Sequence, residues 1–440
     1  MNNSKSKVLV FPAGSEIGLE IERSLRNNNH FEVFGATTVS NYSQVAYNNL
    51  FHLPHITDPN FPNEITKLIR EQEIDFVFPA HDDVVEALPK LKEKGLIPDK
   101  VIISGSSPFV CSLARSKIKT YDHLQGVVKV PKTFNKEYVD EADFPLFSKP
   151  DRGQGSKGVF KINNFKDLER VSPTDLVCEY LPGDEYTVDC FTDRHGILRF
   201  CQPRVRQRTS NGISVSSKEV RSEDLAEFLD FADKLNSKVR FRGIWFFQVK
   251  RNIKGELTLL EMAPRVAGGM GYSRIKGANL PLLSLYDHQE KQIEVFTNSC
   301  QLVKESSLQH RYLINGTVEA IYLDLDDTLI LGTKVNSELI AKVYSWKNAG
   351  VKVFLLTRHL HVFSETVMKC LARHNICPTL FDDIIDVPAG NKKSNYIKEK
   401  SAIFVDDSHS ERSEVNSRLG ILVFDCQQVC EVVFEDNLNG

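Results

Sequence analysis

Phe246-Phe247-Gln248-Val249-Lys250 is followed by the polar stretch Arg251-Asn252-Ile253-Lys254-Gly255-Glu256 and then by Leu259-Leu260-Glu261-Met262-Ala263-Pro264-Arg265. The spacing predicts two antiparallel strands, over 244–250 and 257–262, joined by a tight turn. Gln248 and Glu261 then project from adjacent strands toward one point. That is the arrangement Mg²⁺ ligation needs, because the hard cation takes oxygen ligands and fills its other positions with phosphate oxygens and water.

Upstream, Phe147-Ser148-Lys149-Pro150 precedes Asp151-Arg152-Gly153-Gln154-Gly155-Ser156-Lys157-Gly158-Val159. A lysine at a strand end can reach a nucleotide phosphate. The glycine-rich loop after it lets backbone N–H groups approach the β- and γ-phosphates. No GxxxxGK[ST] is present, so this is not a Walker loop. Between loop and hairpin stands Cys178-Glu179-Tyr180-Leu181-Pro182-Gly183-Asp184-Glu185-Tyr186-Thr187-Val188-Asp189, and after it Pro203-Arg204-Val205-Arg206-Gln207-Arg208. Arg204 and Arg206 are candidates for phosphate or substrate contacts; a solvated charged strand face is the alternative reading.

This order of motifs resembles the ATP-grasp superfamily, whose members include biotin carboxylase, the large subunit of carbamoyl-phosphate synthetase and the amino-acid ligases. The resemblance covers about residues 5–295. It implies that Lys117, Lys149 and Ser156 contact ATP phosphates, that Glu179 and Leu181 lie at the adenine hinge, and that Glu185 binds ribose hydroxyls. It further implies that Gln248 and Glu261 hold Mg²⁺, or Mn²⁺ in its stead, and that Arg265 meets an acyl phosphate or substrate carboxylate. Two departures stand out. Many members read Glu-x-Asn-x-Arg where this chain has Ala263 in the Asn position, which implies altered metal geometry. Ser116 precedes Lys117 where an Asp is common. The implied chemistry is ADP-forming activation of a small carboxylate for attack by an amine. No biotin-linked lysine signature and no glutaminase domain accompany it.

A second constellation lies downstream. Tyr322-Leu323-Asp324-Leu325-Asp326-Asp327-Thr328-Leu329 closes a buried strand. Asp324 can attack phosphorus, and Asp326 can protonate the leaving oxygen and then deprotonate water. Phe354-Leu355-Leu356-Thr357 ends another strand with a hydroxyl. Asn391-Lys392-Lys393 opens a helical stretch with a cation, and Ile403-Phe404-Val405-Asp406-Asp407 ends a third strand with paired carboxylates. These four elements, in this order, resemble the haloacid dehalogenase-like phosphatases. The resemblance implies Asp324 as nucleophile, Asp326 as acid and base, and Thr357 with Lys393, or the adjacent Lys392, as phosphate ligands. Mg²⁺ would be held by Asp324, Asp326, Asp406 and Asp407. The intervals from Asp324 to Thr357 and from Thr357 to Lys393 leave no room for a sizeable cap domain.

The rest of the chain fits this frame. Val8-Leu9-Val10-Phe11, the helical run Ile17 to Leu25, and the strands 75–79 and 101–104 alternate as a parallel sheet with helices on both faces requires. Gly14 and Gly18 are too close together for a dinucleotide fingerprint and read as packing of that helix on the first strand. The expectation is an α/β and α+β multidomain chain. Residues 1–110 form a Rossmann-like domain and 111–296 the ATP-grasp domain. Residues 297–316 are a polar linker, and 317–440 form a Rossmann-like, haloacid dehalogenase-type domain without a large cap.

The 440 residues carry 55 Lys+Arg against 58 Asp+Glu. That balance implies no nucleic-acid partner. No apolar run reaches membrane-spanning length, and no apolar segment of signal-peptide type follows Met1–Lys7. The nine cysteines include no CxxC pair, and Cys426 and Cys430 lack a His or Cys nearby to complete a metal site. A cytoplasmic protein with reduced thiols is expected. The leading functional expectation is bifunctional, an ATP-dependent ligase coupled to a phosphatase for a related phosphorylated metabolite. The alternative is a phosphatase carrying a regulatory or non-ligating ATP-binding module. The resemblance also implies a homodimer through the ATP-grasp part.

Overall fold

The computed structural model describes residues 5–153, 155, 157–210, 212–307, 310–314, 316–358 and 366–434. The chain forms two compact units, Met1–Ser307 and Leu308–Gly440.

The first unit begins with a five-stranded parallel sheet. Its order is Asn49–His52, Phe31–Thr37, Ser6–Phe11, Phe76–Pro79, Ile102–Ile103. Strands buried on both faces read as continuous apolar runs, since successive side chains point to opposite sides. Val8, Val10, Phe76 and Phe78 accordingly enter one core, and Leu9, Phe11 and Val77 the other. The helix Glu16–Leu25 starts on a Ser15 cap that accepts from the Gly18 N–H. Gly18 is required there: a Cβ would lie 2.5 Å from the carbonyl oxygens of Pro12 and Ala13. Gly18 thus serves helix packing, whereas a Cβ on Gly14 would meet the Asn41 side chain.

A six-stranded antiparallel sheet follows in the order Leu257–Ala263, Gly243–Arg251, Glu185–Thr192, Leu198–Ser210, Ile213–Glu219, Val303–Glu305. The helix Leu225–Val239 covers one face, with Phe228, Phe231 and Leu235 packed against Trp245 and Phe247. A four-stranded antiparallel sheet, Thr133–Phe134, Asp175–Glu179, Leu146–Pro150, Phe160–Ile162, carries the lysine and the glycine-rich loop.

The second unit is built on a parallel sheet ordered Asp383–Asp386, Lys352–Thr357, Ala320–Leu323, Ala402–Val405, Leu422–Phe424. Its two faces also enter separate cores, Ile321 and Leu323 on one side and Ala320 and Tyr322 on the other. Between Asp324 and Thr357 the chain makes only a small ribbon, Ile330–Leu331 with Lys334–Val335, and the helix Ser337–Asn348.

The stretch read as a polar linker contains strand structure. Val303–Glu305 extends the six-stranded sheet of the first unit, and Tyr312–Ile314 pairs with Val432–Phe434 in the second. Both are three-residue edge strands with mostly exposed side chains, so neither leaves an apolar pattern in the sequence. Among the described residues, no helix is long and apolar enough to cross a membrane.

Candidate active sites

Gln248 and Glu261 stand directly opposite each other on their two antiparallel strands. Directly opposed residues share a sheet face. The same row continues to Thr187 and Arg204 on the next strands. Above it lies a cleft of about 880 Å³ lined by Lys117, Lys149, Glu179, Leu181, Glu185, Gln248 and Glu261. Gly153 and Gly155 of the glycine-rich loop and Arg206 line it as well. Ser156 lies outside the described residues.

Lys149 is 5% exposed, and its Nζ donates to the Tyr121 hydroxyl. That hydroxyl in turn donates to the carbonyl oxygen of Leu260 at 2.7 Å. A fully buried phenol thus ties the lysine to the strand carrying Glu261. Burial holds the Lys149 ammonium below the ordinary lysine range, and Cys178, Glu261 and Glu185 pull it back up. Lys117 opens the helix Lys117–Leu124 and donates to the carbonyl oxygens of Asp151 at 3.4 Å and Gly153 at 3.2 Å. Burial lowers it too, opposed chiefly by Glu261. Among the described residues neither buried cation has a directly bonded carboxylate, an arrangement that suits an anion.

Ser116, the departure noted before Lys117, caps that helix and donates to both carboxylate oxygens of Asp151 at 2.9 Å. Glu185 pairs with the Arg206 Nε at 3.0 Å. The Glu179 carboxylate accepts from the Lys132 backbone N–H at 2.9 Å at the cleft edge. Arg204 is only 1% exposed and pairs with the buried Asp189. Asp189 also accepts from Ser273 at 2.7 Å. A solvated face is therefore not what Arg204 and Arg206 form, whereas Arg208 is exposed and pairs with Glu305 at 3.1 Å.

Arg265 lines a smaller cavity beside the cleft. Its fork is held by Asp82, at 2.6 Å from Nε and 2.9 Å from Nη2, and it lies 5.1 Å over the Phe246 ring. Burial alone pushes the Asp82 carboxyl up, but the Arg265 guanidinium outweighs it and the group ends below the usual carboxylate range. With a lowered folded pKa, the stability this pair contributes is complete above the unfolded aspartate value of about 3.9 and is lost as pH falls through the folded one. Asp82→Ala leaves a buried guanidinium unpaired and is expected to cost about 3 kcal/mol near neutral pH. Urea unfolding of the full chain, followed at the first unit's transition, measures it.

In the second unit, Asp324, Thr357 and Asp406 lie at the carboxyl ends of three adjacent parallel strands, where open α/β sheets place ligands. Lys393, 3% exposed, donates to Asp324 at 2.7 Å and to Asp406 at 2.6 Å. Ligand oxygens of Asp324, Asp406 and Asp407 lie within 4.8 Å of one another, a donor set that suits a hard divalent cation. Asp326 is not part of that set. The Thr357 hydroxyl is buried and has no hydrogen-bond partner among the described residues. Burial pushes the Asp324 carboxyl up to about 6; Lys393 opposes the shift and Asp406 adds to it. Lys393 opens a single 3-10 turn, Lys393–Tyr396, in place of the longer helical stretch expected, and Lys392 is exposed beside Glu414 at 3.5 Å.

Sequence reasoning missed Tyr121, Asp82 and Asp151. Each reaches its partner across a separation no local pattern encodes, 139 residues for Tyr121–Leu260 and 183 for Arg265–Asp82.

Residues 172–307 match the family described as ATP-grasp in the biosynthetic pathway with Ter operon. No curated protein sequence matches this one. Among solved structures, the biotin carboxylase domain dimer of Hydrogenobacter thermophilus 2-oxoglutarate carboxylase, in complex with MgADP, ADP and bicarbonate, is similar with TM-score 0.56 and 14% identity. The match covers 66% of this chain and 71% of that one. The Campylobacter jejuni biotin carboxylase–βγ-ATP complex gives TM-score 0.56 and 15% identity over 67% and 73% of the two chains. Staphylococcus aureus N5-carboxyaminoimidazole synthetase complexed with ADP gives 0.54 and 17% over 67% and 80%. Residues of the first unit therefore adopt the ATP-grasp fold.

Proposed function

We propose that the ATP-grasp unit is an ADP-forming carboxylate–amine ligase and that the second unit is a Mg²⁺-dependent phosphatase. The observation that carries the ligase reading is the convergence of Lys117, Lys149, Gln248 and Glu261 on one cleft beneath the glycine-rich loop. The structural relatives described as complexes with ADP, MgADP and βγ-ATP support a nucleotide in it. Likeness to the dimeric Hydrogenobacter domain supports a homodimer.

In this reading a carboxylate oxygen attacks the γ-phosphorus, the bond from phosphorus to the ADP oxygen breaks, and an acyl phosphate forms. An amine nitrogen then attacks the acyl carbon, the carbon–oxygen bond to phosphate breaks, and the amine loses a proton. Such transfers need charge neutralisation and alignment above all. Lys117 and Lys149 supply positive charge at the phosphates. Gln248 and Glu261 fit Mg²⁺ as an oxygen donor pair, and a bound ion there would neutralise charge on the transferring group. Arg265, fixed by Asp82, orients the acyl end. Hydroxylamine tests the acyl phosphate: with ATP, Mg²⁺ and a panel of small carboxylates, a hydroxamate should form. No hydroxamate from any acid, with ADP still bound, contradicts ligation. That result favours the alternative of a nucleotide-binding regulatory module, which draws on Ala263, an apolar residue in the Asn position of the Glu-x-Asn-x-Arg pattern.

Tyr121 orients Lys149 and contributes through it. Losing one hydrogen bond to a charged group costs about a factor of ten in a binding constant. Tyr121→Phe is therefore expected to weaken ADP·Mg²⁺ binding by about tenfold, read by isothermal titration.

In the phosphatase reading Asp324 attacks phosphorus and the leaving oxygen takes a proton from Asp326. Water, deprotonated by Asp326, then cleaves the aspartyl phosphate. Lys393 and the unpartnered Thr357 hydroxyl hold phosphate oxygens. Asp324, Asp406 and Asp407 fit Mg²⁺, which would screen the carboxylates from the incoming phosphate. The raised Asp324 pKa of about 6 makes metal binding pH-dependent. A carboxylate raised in the folded state stabilises less as pH rises from its unfolded value through its folded one. Bound Mg²⁺ offsets that loss, and binding requires the ionised form. The Mg²⁺-induced rise in the second unit's melting temperature should be larger near pH 8 than near pH 5. Equal shifts at both contradict this assignment.

A further inference from the structure

Behind the ligand row of the six-stranded sheet stand two cysteines. Cys190, on the strand Glu185–Thr192, lies directly opposite Cys201, on the strand Leu198–Ser210. Each is three residues from a member of the ligand row, Thr187 or Arg204, so both point to the other face of the sheet. There Cys190 is fully buried in the core under the helix Leu225–Val239, and Cys201 packs against the same core. The Cys201 Sγ donates to the Phe228 carbonyl oxygen at 3.8 Å, and the two thiols are within hydrogen-bonding reach of each other.

The spacing suits a covalent bond. Directly opposed residues of an antiparallel pair have Cα atoms about 4.5–5.5 Å apart, and a disulfide takes Cα atoms about 4.4–6.8 Å apart. The ligand row therefore keeps its place when the bond forms. A register shift between Phe191 and Thr192, next to Cys190, gives the strand room to adjust.

The two thiols differ in access. Cys201 is partly exposed and lines a surface groove with Arg199, Pro203, Leu225 and Leu229. Burial pushes the Cys190 thiol up and keeps it protonated, which leaves Cys201 to react first. Left alone, an oxidised Cys201 would proceed to a sulfinic acid, an irreversible change that sets an ionised group against an apolar core.

We propose that Cys190 and Cys201 are a dithiol site that turns peroxide attack on this sheet into a reversible cross-strand disulfide. The Cys201 sulfur attacks a peroxide oxygen and the O–O bond breaks, giving a sulfenic acid and, from hydrogen peroxide, water. The Cys190 sulfur then attacks the Cys201 sulfur. The S–O bond breaks, the S–S bond forms, and the Cys190 proton leaves with the hydroxyl as water. Two thiols and one peroxide become one disulfide and two waters, and a small thiol reverses the bond by exchange.

The test treats the reduced full chain with hydrogen peroxide, blocks remaining thiols with N-ethylmaleimide and maps tryptic peptides by mass spectrometry. Cleavage at Arg194 and Arg199 separates the two cysteines, and fragmentation distinguishes Cys190 from Cys178 within one peptide. The Cys190 and Cys201 peptides should appear linked, lighter by two hydrogens than their sum, and dithiothreitol should free both. In Cys190→Ala, the same treatment should carry Cys201 to a sulfinic acid that dithiothreitol leaves intact, and the first unit's melting temperature should fall, whereas wild type recovers its own on reduction. Should Cys190→Ala not fold, the wild-type map decides. A Cys201–Cys300 link overturns the proposal, since Cys300 lines the same groove. So does a wild-type Cys201 sulfinic acid beside a free Cys190, or two free thiols once the exposed Cys300 and Cys377 are fully oxidised.

Discussion

Glu261→Gln is expected to lower acid-dependent ADP formation by about a thousandfold, the scale seen when one preorganised electrostatic group at a reacting centre is removed. The cause is local. Glu261 opposes Gln248 across the strand pair, and it is the carboxylate whose charge acts on both Lys117 and Lys149. Glutamine keeps the size and one oxygen donor but removes the charge that acts on two buried ammonium groups and that a bound divalent ion would need. The substitution leaves the apolar neighbours Met262 and Ala263 in place, so the fold should persist. Steady-state ADP release, with the melting temperature as a control for folding, measures the effect. A loss smaller than about tenfold places the metal elsewhere.

Asp324→Asn should reduce hydrolysis of p-nitrophenyl phosphate by on the order of 10⁴-fold or more, as expected when a covalent nucleophile is removed. The amide cannot form the phosphoryl-enzyme bond. Lys393 retains Asp406 at 2.6 Å, so the cation stays paired and the unit keeps its core. ADP formation by the ATP-grasp unit should be unchanged. Residual hydrolysis near the wild-type rate, in protein freed of contaminating phosphatases, removes Asp324 from the nucleophile role.

Much of the ligand-facing geometry was legible because it is local. The Arg251–Glu256 turn pairs Arg251 with Leu257, and a bulge beyond Leu259 shifts the register by one residue to bring Gln248 opposite Glu261, while each parallel strand of the second unit delivers its polar residue at its carboxyl end. The supports were not legible. Tyr121 stands in a short helix with no local mark of function. Asp82 begins another helix and reads as an N-terminal acid of the ordinary kind. The Val303–Glu305 strand has the look of a linker because an exposed edge needs no apolar alternation. Local chemistry is written in neighbouring residues, whereas what holds it in place comes from elements far apart in the chain.

The most direct measurement is ADP release by the Asp324→Asn protein with Mg²⁺ and ATP, varying acid and amine separately. A ligase gives a rate that requires an added acid and rises further only when an amine is also present. ADP release indifferent to both, or none at all with ATP bound, would contradict the ligase assignment.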